Sequence, residues 1–507
     1  MKPLLMHRAR DYSLRPELPC NGPALAQDME LDTLLCAMAD GDKFLYDVAL
    51  EALLSGLEND VETILYRQAA LRDCMRNPKV VRALYDLAVE AIEARQQQRL
   101  GIFSRSPDGI LYGGIRLMRV YMGFLGRLRV LAHEHAGEFS SEAFTRFFAA
   151  LEDEVTDEFL AAAQNHLRQL RFPAGVLVSA ELGKGNESRD YVLREPRVLD
   201  WRQRLLRRRP PAFSFSIHPR DDAGARALSE LRNRGIHLAA NALAQSADHI
   251  LSVFETLRAE LAFYLGCLNL HDRLAAKGEP TCFPRPAGVG ERRHRLTGLY
   301  DVCLSLHMTD RVVGNSLDMD GKRLVVITGA NQGGKSTFLR GIGLAQLMMQ
   351  CGMFVGAESF EAELCTGLFT HYKREEDATM KSGKLDEELA RMSDIADSLT
   401  PNSMVLLNES FAATNEREGS EIARQVVSAL LERHIKTLFV THLYEFARGL
   451  FDRPMEDTIF LRAERRADGT RTFRLVPDEP LETSYGEDLY RKVFMVRTGA
   501  ERTEHSS

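Results

Sequence analysis

Apolar residues recur every three or four positions from Asp28 to about Arg171, which predicts a run of long amphipathic helices. One is read from Val61 through Ile64-Leu65 and Ala69-Leu71 to a break at Asn77-Pro78, resuming over 80–92; others cover 111–136 and 141–170. A later helix carries Ile250, Phe254, Leu257, Leu261, Tyr264, Leu265 and Leu268 on one face. Such stripes are core-forming faces, not cofactor boxes. Between the helical blocks, FPAGVLVSAELGKGNESRDYVLREP (172–196) reads as two strands around a turn at 183–186. Residues 1–27 contain Pro16, Pro19 and Pro23 and little periodicity, so they read as an irregular arm or short docking segment.

From about Arg311 the pattern changes. Leu324-Val325-Val326-Ile327, Met404-Val405-Leu406-Leu407 and Thr437-Leu438-Phe439-Val440 are apolar runs of buried-strand length, with helices predicted over 336–350 and 418–434. This alternation implies a mostly parallel sheet with helices on both sides. The expected division is an arm (1–27), a mainly helical domain (28–300) with a small β and arginine-rich insertion (172–220), an α/β domain (301–495) and a polar, disordered tail (496–507).

A chain of 507 residues is long for one domain and leaves room for a large core. The net charge of −7 gives no global basic character, so any nucleic-acid contact must come from a local patch. One candidate follows the hairpin: Arg189, Arg194, Arg197, Arg202, Arg204, Arg207, Arg208 and Arg209, tempered by Asp190, Glu195 and Asp200. Such a run either follows a phosphate backbone or forms a solvated face. The eight cysteines form no CxxC pair, which argues against a zinc site and a disulfide framework. No apolar stretch has the length of a signal peptide or membrane span, so a cytoplasmic protein without membrane association is expected.

Chemistry concentrates where the first apolar strand ends. TGANQGGKST (328–337) meets the G-x-x-x-x-G-K-[ST] pattern through Gly329, Gly334, Lys335 and Ser336, with Ala330, Asn331, Gln332 and Gly333 between. Placed between a strand and a helix, such a loop turns backbone N–H groups and a helix N-terminus toward phosphate oxygens. Lys335 is expected at the β- and γ-phosphates and Ser336 at Mg²⁺. The second strand ends in Asn408-Glu409, where Glu409 is the candidate to orient the attacking water. Asn408 stands where an aspartate is expected; its neutral amide can accept from a metal-bound water without supplying charge, which predicts slow hydrolysis or weaker metal binding. His442 follows the third strand and is a candidate to contact the γ-phosphate or hold the water. Lys381-Ser382-Gly383-Lys384 opens a polar helix that either binds an anion or is an ordinary exposed start.

Together these residues resemble the MutS family of DNA mismatch-repair ATPases, a branch of the ABC-type ATPases. The resemblance is specific over about 310–495 and rests on GANQGGKSTFLR, NESFAATNEREG (408–419), THLYEF (441–446) and SYG (484–486), with VGNSLDMD and MKSGK as lesser matches. It implies an ABC-type P-loop ATPase domain preceded by a helical core and lever domain, of which ILYRQAALRDCMRNPKVVRALYDL (64–87) is the most suggestive part. It also implies that Lys335, Ser336 and Thr337 bind ATP and Mg²⁺, that Asn331 lies near the γ-phosphate, and that Glu409 is the catalytic acidic residue with His442 beside it. Ser382 and Gly383 would reach the nucleotide of an opposite subunit, making a homodimer with composite sites. The hairpin and Arg202 to Arg209 fall where the family's levers carry a DNA-clasping clamp. No mismatch-recognition domain is expected ahead of the helical core and no nuclease-like domain after residue 495, so mismatch reading is not expected. The preferred reading is an ATP-driven dimeric switch on branched or duplex DNA, acting in repair or recombination. The alternatives are an ATP-gated scaffold with little hydrolysis and, less favoured by the helical arm and the missing LSGGQ segment, the ATPase of a transporter.

Overall fold

The computed structural model describes residues 2–12, 19–99, 106–173, 175–195, 213–374, 383–453, 455–466 and 470–481. Its helices are α1 (Gly22–Asp28), α2 (Leu31–Ala39), α3 (Lys43–Ser55), α4 (Val61–Arg76), α5 (Pro78–Arg99), α6 (Pro107–His135), α7 (Glu142–Glu154), α8 (Asp157–Gln169), α9 (Asp222–Ala276), α10 (Val302–His307), α11 (Lys335–Cys351), α12 (Lys384–Ser398), α13 (Glu416–Glu432) and α14 (Tyr444–Phe451). Its strands are β1 (Val178–Leu182), β2 (Ser188–Leu193), β3 (Arg285–Ala287), β4 (His294–Leu299), β5 (Asn315–Asp318), β6 (Leu324–Gly329), β7 (Ser359–Glu363), β8 (Leu368–Tyr372), β9 (Met404–Asn408), β10 (Lys436–Val440), β11 (Thr458–Arg465) and β12 (Arg471–Pro477).

Two compact units partition the chain. The first comprises 1–3, 79–140 and 144–261; the second comprises 4–78, 141–143 and 262–507. In the first unit, α6 and α9 bring Tyr121 and Phe124 against the buried Phe254, at ring separations of 6.2 and 6.3 Å. Its hairpin β1–β2 is antiparallel, and its strands are half-exposed to exposed. The hairpin turn lies where 183–186 was expected, and the break at Asn77-Pro78 is also present. The single helix expected over 141–170 is two helices. Thr156 adopts extended backbone and its side chain accepts from the Phe159 N–H, capping α8 and ending the stripe that α7 began. Apolar spacing continues across that cap, which is why the pattern alone runs the two together.

The second unit is built on a six-stranded sheet of order β12-β11-β6-β10-β9-β8, parallel except for β12. A four-stranded sheet of order β3-β7-β4-β5 accompanies it, so strands begin before the change of period read at Arg311. β4 alternates buried and exposed positions over only six residues that include Arg295 and Gly298, too weak a signal to read as a strand. Val326, Val405, Leu407 and Phe439 pack with Ala423 and Val427 of α13 and with Phe446 of α14 on one face. α11 covers the other and is buried almost all round, with α3 and α4 against its far side. The amino-terminal segment is irregular over 2–12 yet docked. Arg67 on α4, 1% exposed, donates to the Met6 carbonyl at 3.0 Å, to the Cys351 carbonyl at 3.2 Å and to His7 at 2.8 Å. Burial, with Arg67 next, lowers the His7 pKa to about 3, so its ring is neutral and can accept.

Gly352 ends α11 in the left-handed region at φ 88°, and a Cβ there would lie 2.5 Å from the Arg67 Cβ. Gly321, at φ 74°, has nothing within 4 Å of such a Cβ. Gly321→Ala should therefore cost only backbone strain, about 1–2 kcal/mol. Gly352→Ala should cost about 1–3 kcal/mol more through overpacking against Arg67. Thermal melts of the two variants side by side check the difference, and equal melting temperatures would contradict the clash.

Candidate functional site

Strands β6, β10 and β9 run parallel with Ile327, Val440 and Asn408 in register, so their carboxyl ends lie level. The Thr441 N–H donates to the Ile327 carbonyl at 3.0 Å and the Glu409 N–H to the Val440 carbonyl at 2.8 Å, which carries the alignment one residue past each strand. The residues leaving this edge are the loop after Gly329, Glu409 after β9, and Thr441-His442 after β10. Ligand sites in parallel sheets belong at such an edge.

The loop 329–334 turns back to start α11. Gly334 caps the helix with φ 90°, a left-handed conformation that places the helix N-terminus toward the loop. Gly333 cannot bear a side chain, because a Cβ would sit 2.7 Å from the Ala463 Cβ and 2.8 Å from the Ala330 carbonyl. Asn331 and Gln332 stand exposed on the loop, and Gln332 accepts from Arg471 of β12 at 2.8 Å. Ala330 and Lys335 are buried. Lys335 donates to the Gly329 carbonyl at 2.9 Å and the Ala330 carbonyl at 3.0 Å. Burial lowers its pKa to about 8, Glu409 opposing the shift and Arg471 adding to it.

Ser336, the next residue of α11, donates to the Asn408 Oδ1 at 2.9 Å. His442 Nε2 lies 3.0 Å from Glu409 Oε1, and that hydrogen bond is the main cause that holds the Glu409 carboxyl below the usual glutamate range. Lys335, Ser336, Asn408, Glu409 and His442 are thus brought to one edge by the register of three strands. Thr337 lines an adjoining cavity of about 320 Å³, together with Tyr300, Val312, Asn315, Phe338 and Phe473. That volume is at the lower end for a ligand pocket.

Of the remaining expected site residues, the structure describes Gly383. Gly383 caps α12 without a side-chain hydrogen bond, and Ser382 lies outside the described residues. Arg202, Arg204, Arg207, Arg208 and Arg209, and the SYG segment 484–486, also lie outside the described residues. Among the described residues no group of three or more His, Cys, Asp or Glu could hold a metal ion, and no helix is long and apolar enough to cross a membrane. Sequence reasoning missed Arg471 and Phe473. Both sit on β12, which meets the loop only through the sheet order, and no local spacing marks them.

Comparison with known proteins gives two family matches. Residues 59–277 match the family described as MutS2 N-terminal domain, and residues 325–497 match MutS domain V. The chain is 34% identical over 236 residues to a DNA mismatch repair protein MutS of Thermus aquaticus, covering 46% of this chain and 28% of that protein. It is 32% identical over 190 residues to an Endonuclease MutS2 of Thermus thermophilus, covering 36% of this chain and 24% of that protein. A DNA mismatch repair protein MutS of Thermotoga neapolitana is 33% identical over 209 residues, covering 41% and 26%. Each match therefore spans less than a third of the relative's length.

A triphosphate seated on the loop would hold Lys335 charged, whereas the free protein has it half-neutral near pH 8. Binding of MgATP at pH 8 should take up about half a proton, falling to about a tenth at pH 7, with affinity declining as pH rises further. Calorimetric titrations in buffers of differing ionisation enthalpy measure the uptake. No uptake at pH 8 would mean that the loop keeps its lysine charged without ligand.

Proposed function

The chain belongs to the MutS family, and on that premise we propose that it is an ATP-hydrolysing conformational switch that works as a dimer on DNA. The observation that carries the ATPase part is the convergence of Lys335, Ser336, Asn408, Glu409 and His442 at the level ends of β6, β9 and β10. The chain's own groups fit MgATP. Lys335 now spends donors on two carbonyls of its own loop, and phosphate oxygens are the natural replacement acceptors. Gly333 lets the loop close up against Ala463 of β11, where a side chain would not fit. Ser336 would ligate Mg²⁺, with Asn408 accepting from one of its waters and Glu409 close by. Mg²⁺ bound with ATP would offset charge on the phosphate oxygens.

In this reading the loop 329–334, the N-terminus of α11 and Thr337 bind the triphosphate, and the adjoining cavity takes the base. Lys335 counters charge at the β- and γ-phosphates. Glu409, an anion at neutral pH, orients the attacking water and accepts its hydrogen bond, while His442 fixes the carboxylate at 3.0 Å. Ser382 and Gly383 are assigned to the nucleotide of a second subunit, which makes the active assembly a homodimer. Asn408 supplies an acceptor without charge, so turnover is slow.

DNA is assigned to the arginine-rich stretch 202–209. Phe213 and Phe215, 96% and 83% exposed, follow it closely and offer faces for stacking on bases. The relatives' names, DNA mismatch repair protein and endonuclease, place them in DNA metabolism and favour repair or recombination for this chain. A second reading, an ATP-gated scaffold with little hydrolysis, is favoured by Asn408, a neutral amide where a carboxylate would be expected.

Steady-state ATP hydrolysis with and without duplex or branched DNA tests the proposal. Lys335→Ala should lose nucleotide binding, and Glu409→Gln should retain it while turnover falls by about 100-fold or more. DNA should raise the wild-type rate, and the effect should weaken steeply with salt. Tight ATP binding with turnover no higher than in Glu409→Gln would sink the switch that hydrolyses and favour the scaffold, in which Asn408→Asp should restore turnover.

A further inference from the structure

The segment after β9 is strained. Glu409 and Phe411 both take left-handed backbone, with φ 55° and 64°, a conformation that strains residues other than glycine. Non-glycine residues stay in that region only where their surroundings hold them. Here the surroundings form a closed ring. The Phe411 N–H donates to Glu388 Oε2 of α12 at 3.0 Å. Ser410 Oγ donates to the His371 carbonyl of β8 at 2.7 Å and lies 2.7 Å from His371 Nδ1. His371 Nε2 returns to the Glu388 carbonyl at 3.0 Å, and the imidazole stacks on Phe411 at 5.6 Å and 22°. All four residues are buried.

Packing alone does not explain Glu388. An apolar side chain would bury α12 against the sheet without the cost of enclosing a carboxylate, a cost seen in the upward shift that burial gives its pKa. What the carboxylate contributes is an acceptor for a backbone amide two residues from Glu409. Resting on the ATPase reading above, we infer that Glu388 is a positioning residue, holding Glu409 through the ring that joins α12 to the end of β9. The water-orienting carboxylate is then set by α12, whose capping residue is Gly383, as well as by its own strand. A displacement of α12 is passed through the Phe411 amide to Glu409.

The test uses the full chain, MgATP and four proteins: wild type, Glu388→Ala, Glu388→Gln and Ser410→Ala, with Lys335→Ala as the blank. Glu388→Ala should bind a fluorescent ATP analogue within about threefold of wild type yet turn over about 10- to 100-fold more slowly, as expected for a misplaced catalytic group. Glu388→Gln should recover most of that loss, because its amide oxygen can accept the Phe411 N–H. Ser410→Ala, which opens the other side of the ring, should slow turnover by about three- to tenfold with binding intact. Turnover of Glu388→Ala within about threefold of wild type, or a loss of binding equal to the loss of turnover, would overturn the inference. If Glu388→Ala fails to fold, Ser410→Ala decides by the same split between binding and turnover. Wild-type turnover that needs Lys335 but ignores Glu388 overturns this inference alone, whereas wild-type turnover no higher than that of Lys335→Ala overturns the ATPase reading with it.

Discussion

The register of three parallel strands is the constraint on which the site depends. Ile327, Val440 and Asn408 pair side by side, so chain segments distant in sequence leave the sheet at one level. A parallel pair needs a crossover, and here the crossovers are helices that cover the sheet faces, with α11 on one and α13 on the other. Burying both faces leaves only the strand ends open to polar chemistry. The apolar composition of β6, β9 and β10 is therefore a condition for the site as much as for the core: a one-residue slip of β9 would carry Asn408 away from Ser336.

Electrostatics at that edge are finely divided. Lys335 is largely desolvated and held by neutral carbonyls, which costs the free protein part of its lysine charge. Glu409 is the acidic group that most directly favours that charge, and it is itself shared with His442. With an amide at 408 in place of a second carboxylate, the edge has less negative charge with which to hold a divalent cation, which bears on the proposed use of MgATP. Phosphate oxygens would then have to bring most of the metal's negative ligands, so metal and nucleotide would enter together.

Much of this was legible in the chain. The glycine loop, the three strands and the helices after them are defined by short-range patterns, and they lie within a few residues of where periodicity puts them. The hairpin 178–193 and the break at Pro78 were legible for the same reason. What was not legible depends on contacts between distant segments. Thr156 divides a continuous stripe by capping. β4 is too short and mixed to stand out, and β12 reaches the loop only because the sheet order puts it beside β11, next to β6. The docking of residues 4–8 likewise rests on Arg67, a charged side chain that sequence reasoning would leave in solvent.

Glu388 belongs with these last features and shows why they matter. In the sequence it is one of two adjacent glutamates near the start of a polar helix, and nothing local separates it from Glu387. In the fold one of the pair is buried and accepts the Phe411 amide, while its neighbour is not. The difference arises from helix phase: α12 presents position 388 to β8 and the end of β9. Because the strained backbone at 409–411 stores energy that must be offset by contacts from outside its own strand, the placement of Glu409 cannot be independent of the helix beside it. A site assembled this way has a route by which motion of a surface helix reaches Glu409, and in the proposed ATPase that motion would alter turnover without any change in the residues that touch nucleotide.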